Sequence, residues 1–215
     1  APFGQRAYGQ VPPWVAFTQD PTLKELWEYD PESALRELAQ AGFTDTNGDG
    51  ILDRDGKPFS FNLKTSSGSQ VRVLTILVTQ LKQLGIDANI LQQDSAVWSD
   101  DLIAGNTGTF FDYSFAGTTG LYSMFHGDNI GKTNTHHYSN PEVNRLLDEA
   151  NRTIDFDARN SLWLAAQRLI MEDRAVIPLY FEGGYSITSK RVHDFVPPWG
   201  GLRLVSLENS VYLDQ

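Results

Sequence analysis

Between Phe59 and Ile90 the spacing of apolar residues changes period twice, and this constrains the fold more than any other feature of the chain. Phe59, Phe61, Leu63 and Thr65 alternate with Ser60, Asn62 and Lys64, the two-residue period of a half-buried strand. Val71, Leu74, Leu77, Val78, Leu81 and Leu84 then recur at helical spacing up to Gly85. Ile86, Ala88 and Ile90 return to alternation. A strand that passes through a helix into a second strand sets the two strands parallel. The expected fold class is therefore α/β, with a mixed sheet flanked by helices.

Helix signals flank this unit. Asp30 is a good N-cap with Pro31 in the first helical position, Leu35, Leu38 and Ala39 make an apolar stripe, and Gly42 supplies the stop. Val97, Trp98, Leu102 and Ile103 suggest a short helix, and Phe110 to Phe115 a third strand. Ser139-Asn140-Pro141 opens a helix carrying Val143, Leu146, Leu147 and Ala150; another runs from about Asp157 to Asp173. Ala175–Phe181 reads as a buried strand and Tyr185–Thr188 as a further one. Gly117 to His137, rich in Gly, Thr and Asn, reads as a long connection of the functional or mobile kind. Residues 1–29, broken by Pro12, Pro13 and Pro21, are irregular. The expected core is Leu35, Leu38, Leu74, Leu77, Leu81, Ile86, Leu146, Leu169 and Ile177.

Composition excludes several functions. The net charge of −10, with no Lys/Arg-rich run, argues against a nucleic-acid or anionic-membrane surface. The chain has no cysteine, so disulfides, thiolate metal sites and a cysteine nucleophile are ruled out. No apolar stretch reaches bilayer-spanning length. Ala1-Pro2-Phe3-Gly4 has no signal character, so a secreted parent is expected to carry its signal elsewhere.

Catalytic signatures are missing too. No Gly-x-Ser-x-Gly elbow occurs, and Ser66-Ser67-Gly68-Ser69 lacks the lysine of a phosphate loop. His136 and His137 are adjacent and, on a strand, face opposite sides. The pairs Asp100-Asp101 and Glu172-Asp173 read as helix-surface charge. The sharpest local motif is Asp45-Thr46-Asn47-Gly48-Asp49-Gly50-Ile51-Leu52-Asp53, which matches the first half of an EF-hand loop. Asp45, Asn47 and Asp49 would offer side-chain oxygens to calcium, Ile51 its carbonyl, and Asp53 a direct or water-bridged contact. The closing Glu is missing, its place being taken by Gly56, and the same residues also suit an Asx-rich turn.

Five blocks in order resemble one family. Tyr29-Asp30-Pro31-Glu32-Ser33-Ala34 with Leu38-Ala39-Gln40-Ala41-Gly42, the Asp45–Asp53 loop, Gln80-Leu81-Lys82-Gln83-Leu84-Gly85-Ile86, Tyr138-Ser139-Asn140-Pro141-Glu142-Val143 with Leu146-Leu147-Asp148-Glu149-Ala150, and Ala166-Gln167-Arg168 with Ile177-Pro178-Leu179-Tyr180 are similar to segments of the family 5 extracytoplasmic solute-binding proteins of ABC transporters, the oligopeptide, dipeptide and nickel-binding group. The resemblance implies the carboxy-terminal lobe of a type II periplasmic-binding-protein-like fold. Residues 1–29 would be a hinge or connecting segment, 30–190 the ligand-binding lobe, and 191–215 a return towards a missing amino-terminal lobe.

It further implies a non-enzymatic protein outside the cytoplasm, capturing a small solute such as a peptide for an ABC permease in the membrane. The ligand-facing residues it implies are Thr118, Thr119, Leu121, Tyr122 and Phe125, with Trp98 and Tyr185. Peptide binders of the family often carry Gly-Trp-x-x-Asp after the "F-D" strand; here Thr118 replaces the Trp and Leu121 the carboxylate. Tyr122, Phe125, His126, Gly131 and Asn134 resemble the cleft-edge segment "F-H…G-x-N". No cofactor beyond calcium is implied. The alternatives are a calcium-stabilised binding or sensor module and a hydrolase.

Overall fold

Caps and periodicity set most element boundaries. In the computed structural model, which describes residues 4–12, 20–106, 119–182, 187–195 and 211–214, the elements run in chain order β1 Gly4–Arg6, a 3₁₀ helix Pro21–Trp27, α1 Pro31–Gln40, β2 Asp53–Arg54, β3 Lys57–Pro58, β4 Ser60–Thr65, α2 Gly68–Gln83, β5 Asp87–Gln92, α3 Ser95–Ile103, α4 Thr119–Phe125, a 3₁₀ turn Gly127–Asn129, α5 Pro141–Arg152, α6 Phe156–Glu172, β6 Tyr180–Glu182, β7 Val192–His193 and β8 Tyr212–Leu213. Asp30, Asp94, Asn140 and Asp155 cap α1, α3, α5 and α6, each accepting a backbone N–H of the first turn.

The chain divides into two compact units, Ala1–Ala7 with Pro178–Gln215, and Tyr8–Ile177. In the first unit β1 runs antiparallel to β6, and β7 to β8.

In the second unit β4 and β5 are parallel, from Ser60 opposite Asp87 to Thr65 opposite Gln92, with α2 between them in sequence and packed on both. The expected crossover is therefore present. Leu74, Ile86 and Ala88 are buried in this layer. A second apolar cluster joins α4 to the α5–α6 hairpin: Val11, Leu121, Phe125, Val143, Leu146, Leu147, Ala166 and Ile170 are all buried. Among the described residues no helix is long and apolar enough to cross a membrane.

Several expectations are corrected. Leu35 is 40% exposed and α1 buries no residue completely, so its apolar stripe lies at the surface. Ile177 is 71% exposed. It lies in an irregular stretch after α6, where Arg174 turns left-handed and Pro178 offers no N–H, so the expected Ala175–Phe181 strand shrinks to its last residues. Leu38, Leu77, Leu81 and Leu169 are only half-buried. Phe110–Phe115 and Tyr185 lie outside the described residues, and Ile187 and Thr188 form no strand. Helix α4 stands inside the expected Gly117–His137 connection, because Leu121 and Phe125, four residues apart, share one buried helical face.

Burial separates two leucines that the sequence treats alike. Leu74→Ala should cost about 2–5 kcal/mol in urea titration, since Leu74 is fully buried. Leu35→Ala should cost well under that; equal losses would mean that α1 is covered after all.

Candidate ligand-binding face

The segment from α4 to α5 is built around two anchors and one buried amide. Leu121 and Phe125 hold α4 to the core, which leaves Tyr122 half-buried beside them. The Tyr122 ring stacks on the His126 ring at 4.5 Å. His126 is 3% exposed; its Nδ1 accepts the Asp128 N–H at 3.2 Å, and its Nε2 lies 3.6 Å from Asp148 Oδ1. Burial, then the nearby charges of Asp148 and Asp128, push the Tyr122 hydroxyl above its ordinary pKa, against the pull of Arg152. Asn134, fully buried, donates to His126 O at 3.1 Å and to Tyr138 O at 2.7 Å, fastening the turn after α4 to the approach to α5. Phe125 stacks on His136 at 4.8 Å and meets Tyr138 edge-on. Tyr138 Oη and Asn140 Nδ2 donate to Asp173 at 2.5 and 2.7 Å, and those bonds hold the Asp173 carboxyl below its usual range.

Helix α3 stands at the carboxyl ends of β4 and β5. Asp101 on it accepts hydrogen bonds from Lys64 at 2.9 Å, Gln93 at 2.8 Å and Asn106 at 2.6 Å. The Gln93 bond first, then those from Lys64 and Asn106, hold its carboxyl down to about 2. The second acid of each supposed surface pair, Asp101 and Asp173, is therefore a hydrogen-bond centre. At the end of α3, His137 Nε2 lies 2.7 Å from Ile103 O, and its ring packs so close to Gly105 that a Cβ there would sit 2.6 Å from it.

The Asp45–Asp53 loop spends its oxygens on its own amides. Asp45 accepts from Gly48 and Gly50, Asn47 from Asp49, and Asp49 from Ile51. The Asp53 carboxylate, buried, takes the Thr46 N–H and hydroxyl. Asn47, Asp49, Ile51 and Asp53 border a depression of about 300 Å³. Among the described residues no three His, Cys, Asp or Glu side chains are gathered as a metal-ligand group.

The residues expected to face a ligand fare differently. Leu121 and Phe125 are fully buried and belong to the core, which corrects their assignment to a binding surface. Tyr122, one position on, is half-buried and packs against the same cluster; Trp98 is half-buried on a separate element, α3. Thr118, the Thr119 side chain and Tyr185 lie outside the described residues. Asp101 and His137 carried no sequence signal beyond their residue type, whereas Asn134 stood in the cleft-edge motif.

A family model described as bacterial extracellular solute-binding proteins, family 5 middle, matches residues 2–158. The chain belongs to this family. The oligopeptide-binding protein AppA of Bacillus subtilis is 32% identical over an alignment that covers 74% of this chain and 30% of AppA. The solved structure of AppA in complex with a nonapeptide superposes with a TM-score of 0.74 at 25% identity, covering 99% of this chain and 43% of that one. A periplasmic oligopeptide-binding protein of Thermotoga maritima, solved with mannohexaose bound, gives a TM-score of 0.67 at 27% identity, covering 84% of this chain and 36% of that one. The chain thus spans about a third of the length of the curated relatives it matches. The fold is that of the type II periplasmic binding proteins.

Within this family 5 chain, His136 makes the α4 corner sensitive to acid. Burial is the main cause that holds its ring down to about 4 from 6.5, and a backbone hydrogen bond at Met124 offsets only part. Between those values the folded ring is neutral and the unfolded ring protonated, so unfolding takes up a proton. The stabilisation is complete above about 6.5 and is lost as the pH falls towards 4, worth up to about 3 kcal/mol. Urea midpoints should therefore drop more steeply on acidification in the wild type than in His136→Phe. Parallel curves would show that the ring titrates as in water.

Proposed function

We propose that this chain is the carboxy-terminal, ligand-capturing lobe of the substrate-binding component of an ABC importer. It works outside the cytoplasm, closes on a solute together with an amino-terminal lobe, and delivers it to a membrane permease without catalysis. The observation that carries this reading is the family 5 match over residues 2–158. The ligand is a small polar solute, a peptide or another of comparable polarity. The solved relatives hold a nonapeptide in one case and mannohexaose in another, and Leu121, buried and uncharged, offers no counter-ion to a free α-amino group. Tyr122 is the residue of α4 assigned to ligand contact, with Trp98 on α3.

In the full-length protein, a melting screen against di- to nonapeptides and oligosaccharides should find at least one compound that raises the melting temperature. Tyr122→Ala should remove that rise and leave the ligand-free melting temperature nearly unchanged. Loss of stability equal to the loss of affinity would make Tyr122 a packing residue, and a screen without any stabiliser would count against the transport reading.

Calcium at the Asp45–Asp53 loop belongs to the same proposal. With Gly56 in place of the closing Glu, its dissociation constant is placed at ~10⁻⁴–10⁻³ M. Calcium at about ten times that value should raise the melting temperature by a few degrees, and Asp49→Ala should abolish the effect. Superposed curves in calcium and chelator would leave the loop as a turn alone.

A further inference from the structure

We propose that Asp101 is a positioning residue for the ligand-binding face: it fixes α3, and with it Trp98, at the carboxyl end of the β4–β5 pair. The inference rests on the transport reading above in so far as Trp98 is taken to meet ligand.

Helix α3 buries no side chain completely: Trp98 and Leu102 are half-buried, and Val97 and Ile103 are 52% and 42% exposed. A short helix without a fully buried stripe has little stability of its own. Beside the partial burial of Trp98 and Leu102, a set of polar ties is gathered on one carboxylate. Lys64 comes from the end of β4, Gln93 from just beyond β5, and Asn106 from the segment leaving α3, and all three donate to Asp101. The Asn106 backbone N–H also donates to Asp101 O at 3.0 Å. The Lys64 and Asp101 side chains are 16% and 21% exposed, so water screens this pair less than an ion pair on the open surface.

Trp98 lies three residues before Asp101, on the same side of the helix. A helix that turned or lifted about the Asp101 contact would carry the indole with it. The location matters because open α/β sheets place ligands beyond the carboxyl ends of their parallel strands. His137 makes a second tie at the same C-terminal end of the helix, on Ile103 O and Gly105, and Asp101 is the tie that reaches the strands.

The test uses the full-length protein labelled with 5-fluorotryptophan and read by ¹⁹F NMR, with the Trp98 resonance assigned by Trp98→Phe. Asp101→Ala should shift or broaden the Trp98 resonance and leave that of Trp163, on α6, in place. Asp101→Asn, which keeps one acceptor oxygen, should give a smaller change. Should Asp101→Ala not fold, Lys64→Met carries the same expectation. Compounds that stabilise the wild type should bind Asp101→Ala about tenfold more weakly. An unmoved Trp98 resonance overturns the proposal, as does a change shared equally by all the tryptophans, which would signal general loosening. A moved Trp98 resonance with undiminished binding also overturns it. If no compound binds the wild type while the Trp98 resonance moves as expected, the transport reading fails and the fixing of α3 by Asp101 stands.

Discussion

The burial of Leu121 and Phe125 against α5 and α6 is the contact on which the described face depends. These two side chains are fully buried, and each is worth about 1.5–3 kcal/mol relative to an exposed position. Because they lie four residues apart, their common face decides the rotation of α4. That rotation leaves Tyr122 half-buried against the same cluster and turns His126 inward onto the 3₁₀ turn it caps. Asn134 and Tyr138 close the corner beside it.

Two side chains of this corner gather the bonds that fix it. Asn134 donates from its buried amide to carbonyls on both sides, His126 O and Tyr138 O. Asp173 collects a phenol and an amide. A buried donor left without a partner costs more than its bond returns, so these pairings hold the turn in one conformation more than they add to net stability. His136 is the exception in kind: its ring is kept neutral by burial against Phe125, which ties the integrity of the corner to pH.

The parts of the fold legible in the sequence were those in which period and cap agreed. The β4–α2–β5 unit announced itself through two changes of period, α5 through its Asn140 cap and apolar spacing, and α6 through apolar spacing alone. Helix α4 was hidden because only two anchors mark it, inside a stretch rich in Gly and Thr. Leu121 and Phe125 were misassigned because a family motif gives a residue's place in the chain and not the direction of its side chain. Leu35 shows the converse error: an apolar stripe on α1 predicts a helix correctly but cannot say whether anything covers it. Asp101 was illegible for a third reason. It and Asp100 are identical neighbours, and what distinguishes them are Gln93, just beyond β5, and Lys64, on a strand 37 residues away.

Two kinds of attachment therefore meet in one lobe. Helix α4 is seated by apolar contact, which is non-directional and tolerates small changes of angle. Helix α3 is seated by hydrogen bonds to one carboxylate, which are directional and fail outright when a donor is displaced. The apolar seam fixes α4, and Tyr122 with it, against the core, while the bonds to Asp101 restrict the orientations open to α3. Charge in this chain, net −10, also sets position: it does so at Lys64, Asp101 and Asp173, as at the caps Asp30, Asp94 and Asp155 and at the buried Asp53.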